Sequence, residues 1–271
     1  MNELFKNKKV IIGVIHLLPT PGFKGFLSKE ETLKRALDDL KILEISGVDA
    51  VIIENNYDTP HVINISSQTF ALMDFIINKM RSKTTLPLGI SVLWNDFKSA
   101  LLLAKKNNCQ FIRVPVFVDY IKSSCGEIKG DADKVITFRN KINAKDILLL
   151  TDIQVKHSEL LNIRPISLAA IDAVNKGSDG IIITGVWTGK PPSIEDLKIV
   201  KEVSKNIPII IGSGADKFNI KTLLKFADAV IVSTSLKEGA PKSSKEEVNI
   251  KSYDTKISLN KVKEFINKAR Y

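Results

Sequence analysis

The chain has 271 residues, 44% of them hydrophobic, which suits one large α/β barrel or two ordinary domains with a sizeable core. No run of 18 apolar residues offers a membrane span, and the opening M-N-E-L-F-K-N-K-K-V lacks the hydrophobic core and small-residue cleavage site of a secretion signal. The net charge of +10 invites a nucleic-acid partner, but the lysines are scattered, with no block of five or six and no interleaved aromatics, so nucleic-acid binding is not expected; the charge fits a Lys- and Ile-rich composition and can also help attract anionic metabolites.

Cys109 and Cys125 are too few for a disulfide framework, and a reduced, cytoplasmic setting is expected. Short apolar runs then alternate with amphipathic stretches. Val10 to Ile15 is the first strand, followed by a helix from Glu31 to Ser46 that Gly47 stops. Asp49 to Glu54 is the second strand, and Ser66 or Ser67 caps a helix running to Arg81. Leu86 to Val92 is the third strand, and Asp96 caps a helix through Lys106. Gln110 to Val114 is the fourth, followed by a long polar segment, Asp119 to Gly130, and a helix near Ala132 to Lys141.

The fifth strand is the most informative. Ile147 to His157 reads I-L-L-L-T-D-I-Q-V-K-H, a run buried on both faces that continues into alternation. As a strand it puts Asp152, Gln154 and Lys156 on one side and Ile153 and Val155 on the other, with His157 beyond. A helix from Ser167 to Lys176 leads to strand six, Asp179 to Thr184, and a helix from Ile194 to Ser204 to strand seven, Ile207 to Ile211. A helix from Asp216 to Phe226 leads to strand eight, Ala229 to Val232, and a charged segment, Lys237 to Thr255, to a last helix, Leu259 to Ala269.

Eight strands in strict alternation with helices over about 250 residues predict a single (β/α)8 barrel, a TIM barrel spanning residues 1–271. The open doubly wound sheet is disfavoured because no G-x-G-x-x-G follows the first strand. Catalytic groups of such a barrel gather at the C-terminal strand ends. Here those ends supply His16, Glu54, Asn55, Asn95, Asp96, Arg113, Asp152, Gln154, Lys156, His157, Thr184 and Thr188.

G-S-G at Gly212, Ser213 and Gly214, with Ser233 and Thr234 after strand eight, suits a phosphate, because loops seven and eight form the barrel's usual phosphate site. The alternative is that the glycines make tight turns and the hydroxyls cap helices. His16 can act as an acid or base or tie neighbouring loops together. Glu54 ends an apolar run, where a carboxylate needs a partner, ligand or metal. Arg113 either binds a substrate anion or neutralises Glu54 or Asp152. Asp152 and Lys156 read as a charged pair, with Asp152, Lys156, His16 and Glu54 as the catalytic set and Arg113, Asn55, Gln154, His157, Thr184 and Thr188 as substrate contacts. Asp96 reads as a helix cap. No zinc-hydrolase signature occurs, since the first strand ends I-H-L and no H-E-x-x-H is present. No cofactor is firmly expected, although Glu54 with Asp152 offers oxygens to Mg2+.

These segments, in this order, resemble the BtpA family, which includes the SgcQ-like proteins. The matching stretches are Ile12 to Gly22, Ala36 to Asn55, F-I-R-V at Phe111 to Val114, T-D-I-Q-V-K-H at Thr151 to His157, Ile181 to Gly189, I-G-S-G at Ile211 to Gly214 and I-V-S-T-S-L-K at Ile231 to Lys237. The resemblance implies a TIM-type barrel. It implies no settled reaction: the family takes its name from a factor needed for photosystem I accumulation, and other members look like products of sugar-metabolism gene clusters. Two positions depart from the family pattern, Pro115 where Asn is usual and Gln154 where His is usual.

The combined expectation is an enzyme, or former enzyme, acting on a small phosphorylated metabolite such as a sugar or ribosyl phosphate. Isomerisation, aldol cleavage and glycosidic cleavage all suit the residue set. The alternative is a non-catalytic assembly or regulatory factor. A homo-oligomer is compatible with either, and no membrane insertion is expected.

Overall fold

Parallel strands as short and apolar as these must bury both faces, and the chain does so by closing them into a barrel. The computed structural model describes residues 3–6, 9–186, 189–204, 206–239 and 255–271. In chain order the strands are β1 (Val10–His16), β2 (Ala50–Glu54), β3 (Leu88–Ser91), β4 (Phe111–Val114), β5 (Tyr120–Ser123), β6 (Gly126–Lys129), β7 (Leu148–Ile153), β8 (Glu159–Leu160), β9 (Gly180–Ile183), β10 (Ile209–Ile211) and β11 (Ala229–Val232). The closed barrel runs β1-β11-β10-β9-β7-β4-β3-β2 with every pair parallel. The predicted (β/α)8 architecture is the observed one.

The helices are α1 (Lys29–Ile45), α2 (Ser67–Arg81), α3 (Phe97–Lys106), α4 (Ala132–Lys141), α5 (Ile166–Asn175), α6 (Ile194–Ser204), α7 (Ile220–Leu223) and α8 (Leu259–Arg270). Ser66 and Asp96 cap α2 and α3 as the sequence predicts, each accepting from the amide three residues on. No described helix is long and apolar enough to cross a membrane.

Inside the barrel, Val10, Ile12, Val14, Ala50, Ile52, Phe111, Leu148, Leu150, Ile182, Ile210, Ala229 and Ile231 form one apolar cluster. Leu4 and Phe5 join it and seal the N-terminal end. Gly89 is required here, because a Cβ would sit 2.0 Å from Phe111 Cε2. The barrel is therefore a packed core beneath the C-terminal strand ends.

Two elements differ from the sequence reading. The polar segment from Asp119 to Gly130 is not a loop but an antiparallel hairpin, β5 with β6, extended by β8. Its alternation is real but short: Ile121 and Ile128 face inward, opposite one another, while Lys122 and Glu127 face solvent. Those isoleucines pack with Trp94, Val116 and Val155 into an apolar wall beside the mouth. The helix expected from Asp216 to Phe226 shrinks to α7. The Asp216 carboxylate accepts from the amides of Phe218 and Asn219, a local turn that delays the helix start. Lys225 and Phe226 then donate three residues back, which tightens and ends it. The charged segment falls largely outside the described residues.

Candidate active site

The interior rows of side chains end in a polar layer. Counting two residues up each strand from the apolar interior reaches His16, Glu54, Ser91, Arg113 and Asp152, then Thr184, Gly212 and Ser233 just past the ends of β9, β10 and β11. Gly89 and Gly212 confirm the facing: a Cβ on the first would strike Phe111, and on the second Ile182 and Thr184. Each barrel strand thus contributes one position to a ring at the mouth. His16 pairs in register with Glu54, Glu54 with Ser91, and Ser91 with Arg113.

The ring is held by charge. Arg113 grips Asp152 with two parallel hydrogen bonds, Nε to Oδ1 and Nη2 to Oδ2, both 2.8 Å. Arg113 Nη1 lies 3.8 Å from Glu54 Oε2, and His16 Nε2 lies 3.5 Å from Glu54 Oε1. Lys237 enters from beyond β11. Its Nζ is 2.9 Å from His16 Nδ1 and 2.5 Å from Tyr57 Oη. Lys156 follows β7, and its backbone N–H donates to Thr184 Oγ1 at 2.9 Å. Thr184 thereby fixes where the lysine leaves the strand.

Burial sets the protonation states. The His16 imidazole is pushed well below its usual range by burial, reinforced by Lys237, Lys156 and Arg113, so it is neutral at pH 7. Lys156 falls to about 8, through burial first and Arg113 second, against the pull of Glu54 and Asp152. Burial works against both members of the Arg113–Asp152 pair. Asp152 more than restores the charge on Arg113. Both Asp152 oxygens accept from the guanidinium, which fits the ionised carboxylate. Two carboxylates therefore face three cations, Arg113, Lys156 and Lys237, a surplus of positive charge suited to an anion.

Lys237 also falls to about 8 from the ordinary 10.5, mainly through burial, with Asp39 and Glu54 opposing and Arg35 assisting. A cation whose folded pKa is lowered costs stability below that pKa, and the cost fades as pH rises from about 8 to 10.5. The stability of the native protein relative to Lys237→Met is therefore expected to rise by about 3 kcal/mol across that window. Urea denaturation of both proteins at pH 7.5 and 10.5 measures it; a constant difference would show Lys237 to be unperturbed.

A model of the BtpA family matches residues 7–269. The chain belongs to the BtpA family. It is 35% identical to the photosystem I biogenesis protein BtpA of Synechocystis sp. over 240 residues, 87% of this chain and 83% of the relative. It is 28% identical to the putative sgc region protein SgcQ of Escherichia coli, covering 88% of this chain and 90% of the relative. Among solved structures it is similar to (S)-3-O-geranylgeranylglyceryl phosphate synthase from Thermoplasma acidophilum, at 14% identity, a TM-score of 0.60, and coverage of 100% of this chain and 99% of that one. That likeness is one of fold.

In this BtpA-family barrel His16, Glu54, Arg113 and Asp152 converge as the sequence predicts, and Arg113 neutralises Asp152. Asp152 gives both oxygens to Arg113 at 2.8 Å, and its pairing with Lys156 is one of charge, the carboxylate working to raise the lysine's pKa. Gln154 does not share the face of Asp152. The strand ends at Ile153, and Gln154 and His157 take left-handed backbone angles, φ 47° and 60°. The Gln154 amide side chain donates to Arg164 O at 2.8 Å, away from the ring. His157 is half-buried and lowered to about 4 by burial and then Lys156. Asn55 lies one residue past Glu54, on the opposite face. It donates to Asp58 Oδ2 and accepts from the Leu93 amide, and so joins two βα loops rather than a substrate.

The Ser213 hydroxyl is also occupied internally, accepting from Gly185 N and donating to Lys190 O, both at 2.9 Å. Gly214 has φ 68°, and a Cβ there would lie 2.0 Å from Pro191 N, so only glycine fits beneath that loop. The amide N–H groups of Ser213, Gly214 and Ala215 meet no acceptor among the described residues. Thr234 lies in the single turn of 3-10 helix after Ser233, and Thr188 lies outside the described residues.

Arg113 stands between Glu54 and Asp152, the two carboxylates whose oxygens the sequence offers to Mg2+. Among the described residues no three His, Cys, Asp or Glu side chains are placed to hold a metal ion. A divalent cation between Glu54 and Asp152 would have to displace Arg113.

Ser91 and Tyr57 are not among the residues the sequence singles out, and Lys237, the first residue of the charged segment, joins the site as well. Tyr57, like His61, sits in the β2 loop with no periodic signal. Lys237 depends on the C-terminal segment, where Lys237 O accepts from Lys261 Nζ and Lys237 pairs with Ile257.

Proposed function

We propose that this barrel is an enzyme that moves protons on a small phosphorylated metabolite such as a sugar or ribosyl phosphate. The polar ring carries the reading. A fully apolar barrel interior ends in a layer with a surplus of positive charge, a neutral imidazole and a carboxylate that no partner holds closely. Two hydroxyls in that layer, Ser91 and Ser233, are buried without a hydrogen-bond partner among the described residues. Buried hydroxyls are normally satisfied, so these two are ready to meet a ligand. The open amides from Ser213 to Ala215 and the hydroxyl of Ser233 suit a phosphate, with Lys156 and Arg113 supplying counter-charge. Support at the level of fold comes from the geranylgeranylglyceryl phosphate synthase, which holds sn-glycerol-1-phosphate.

A thermal-shift series with phosphorylated sugars, their unphosphorylated forms and inorganic phosphate tests this. A phosphosugar at about 100 times its dissociation constant stabilises the protein by roughly 2.7 kcal/mol, a clear rise in Tm. Gly214→Ala is expected to abolish that rise, because its Cβ forces the Lys190–Pro191 backbone off the loop. A shift given equally by unphosphorylated sugars, or by none of the compounds, would overturn the reading.

The second reading is a non-catalytic assembly or regulatory factor, favoured by the 35% identity to a relative named for photosystem I biogenesis. It expects partners captured by the purified protein to survive Glu54→Gln. Absence of any captured partner ends it.

A further inference from the structure

Lys237 is an unusual neighbour for a histidine. It is 4% exposed and follows the 3-10 turn after β11, and the C-terminal segment clamps its backbone through Ile257, Lys256 and Lys261. Its Nζ reaches Nδ1 of His16 at 2.9 Å and the Tyr57 hydroxyl at 2.5 Å. An ammonium has donors only, so Nδ1 must accept. The imidazole is then neutral, and its one proton sits on Nε2. Nε2 lies 3.5 Å from Glu54 Oε1.

Glu54 is 6% exposed, yet its contacts to His16 and Arg113 are 3.5 and 3.8 Å. Asp152 in the same ring has both oxygens taken at 2.8 Å. The two carboxylates are thus unequal: one is bound to a guanidinium, and the other keeps its lone pairs for a proton. A fixed neutral N–H donor beside an available carboxylate suits one kind of step, removal of a proton from carbon next to a carbonyl, with the new negative charge collected on the carbonyl oxygen.

We propose that Lys237 is a positioning residue that fixes His16 as its Nε2–H tautomer, and that the site takes an α-hydroxycarbonyl phosphate whose carbonyl oxygen accepts from that N–H while Glu54 takes the proton from the adjacent carbon. The inference rests on the phosphate reading given above. Glu54 gains the proton, the C–H electron pair becomes the carbon–carbon double bond of an enediolate, and the carbonyl π pair moves onto the oxygen facing His16. The hydroxyl proton passes between the two oxygens, and Glu54 returns its proton to the former carbonyl carbon. The product is an isomer of the substrate, so no oxidant, reductant or second substrate is consumed.

The probes are two hydroxamates that mimic the enediolate, phosphoglycolohydroxamate and 5-phosphoarabinonohydroxamate, with glycerol 3-phosphate and arabitol 5-phosphate as saturated controls, titrated into the full chain. At least one hydroxamate is expected to bind about 100-fold more tightly than its control. In Lys237→Met that preference should shrink at least about tenfold, a ratio in which any loss of phosphate affinity shared by mimic and control cancels. Nitrogen-15 spectra of the native protein at pH 7 should show His16 with Nδ1 unprotonated and Nε2 protonated. Equal binding of mimic and control, or a His16 that is cationic or carries its proton on Nδ1, overturns the inference and leaves the phosphate reading standing. If neither class binds, the phosphate site falls and the inference falls with it. The native-protein readouts decide even if Lys237→Met does not fold.

Discussion

Asp152→Ala is expected to lower the stability of the protein by about 3–5 kcal/mol, the cost of leaving one member of a buried ion pair unpaired. Arg113 is 8% exposed, and both of the hydrogen bonds that hold it in plane go to Asp152. Truncating the carboxylate leaves the guanidinium in the barrel mouth with Glu54 at 3.8 Å, too far to replace two bonds of 2.8 Å. A domain has about 5–15 kcal/mol of stability, so this one change removes a large part of it. Removing both charges has a different outcome. Arg113→Met with Asp152→Leu fills the space with apolar groups and is expected to fall within about 1–2 kcal/mol of the native protein, because taking the pair out of water cost much of what its attraction returned. Urea denaturation of the single and double variants measures both. A double variant as unstable as the single would mean that shape, not charge, is what Asp152 provides.

The contrast between a charge that holds the ring and a charge that works explains what the sequence could disclose. His16 and Glu54 end apolar strands, Arg113 and Asp152 each stand one residue before the end of theirs, and a polar group in such a place must be paired or used. Their convergence follows from the barrel alone, because eight parallel strands bring their ends to one rim. Which carboxylate pairs with Arg113 was not legible, since it depends on the stagger between strands: Arg113 lies level with Leu150, and Asp152 one turn of the pleat above it. Alternation also misleads where a strand stops. Gln154 and Lys156 share parity with Asp152, but the left-handed angle at Gln154 turns the chain and sends its amide to Arg164. The hairpin at Tyr120 to Lys129 was hidden because two isoleucines facing one another are enough to build it against Trp94 and Val116, too few to register as a pattern. Lys237 needed a contact across 221 positions of sequence to reach His16, and no local signal carries that.

Glu54→Gln is expected to cut turnover about 10²–10⁴-fold while leaving the ligand-induced rise in Tm intact, because the amide keeps the size of the carboxylate and cannot take a proton. The assay is incorporation of solvent deuterium into whichever phosphorylated sugar gives the largest thermal shift. Loss of binding together with turnover would place Glu54 among the groups that hold the ligand and deny it the role of base. The pH profile separates the remaining roles. His16 is lowered well below its usual range, so no rise in kcat/KM should appear near pH 6.5. Lys156 and Lys237 are each lowered to about 8, and each loses its positive charge as pH climbs through that value, where an ordinary lysine would keep it. The profile should therefore be level from pH 6 to 7.5 and fall above about 8, as the site loses attraction for the phosphate and the donor that sets the His16 tautomer. In Lys156→Met the fall should persist through Lys237, with KM raised below about pH 8, where the native lysine carries the missing counter-charge. An inflection near 6.5 that disappears in His16→Gln would mean that the imidazole takes up a proton in the working pH range, and that the Lys237 contact does not keep it neutral.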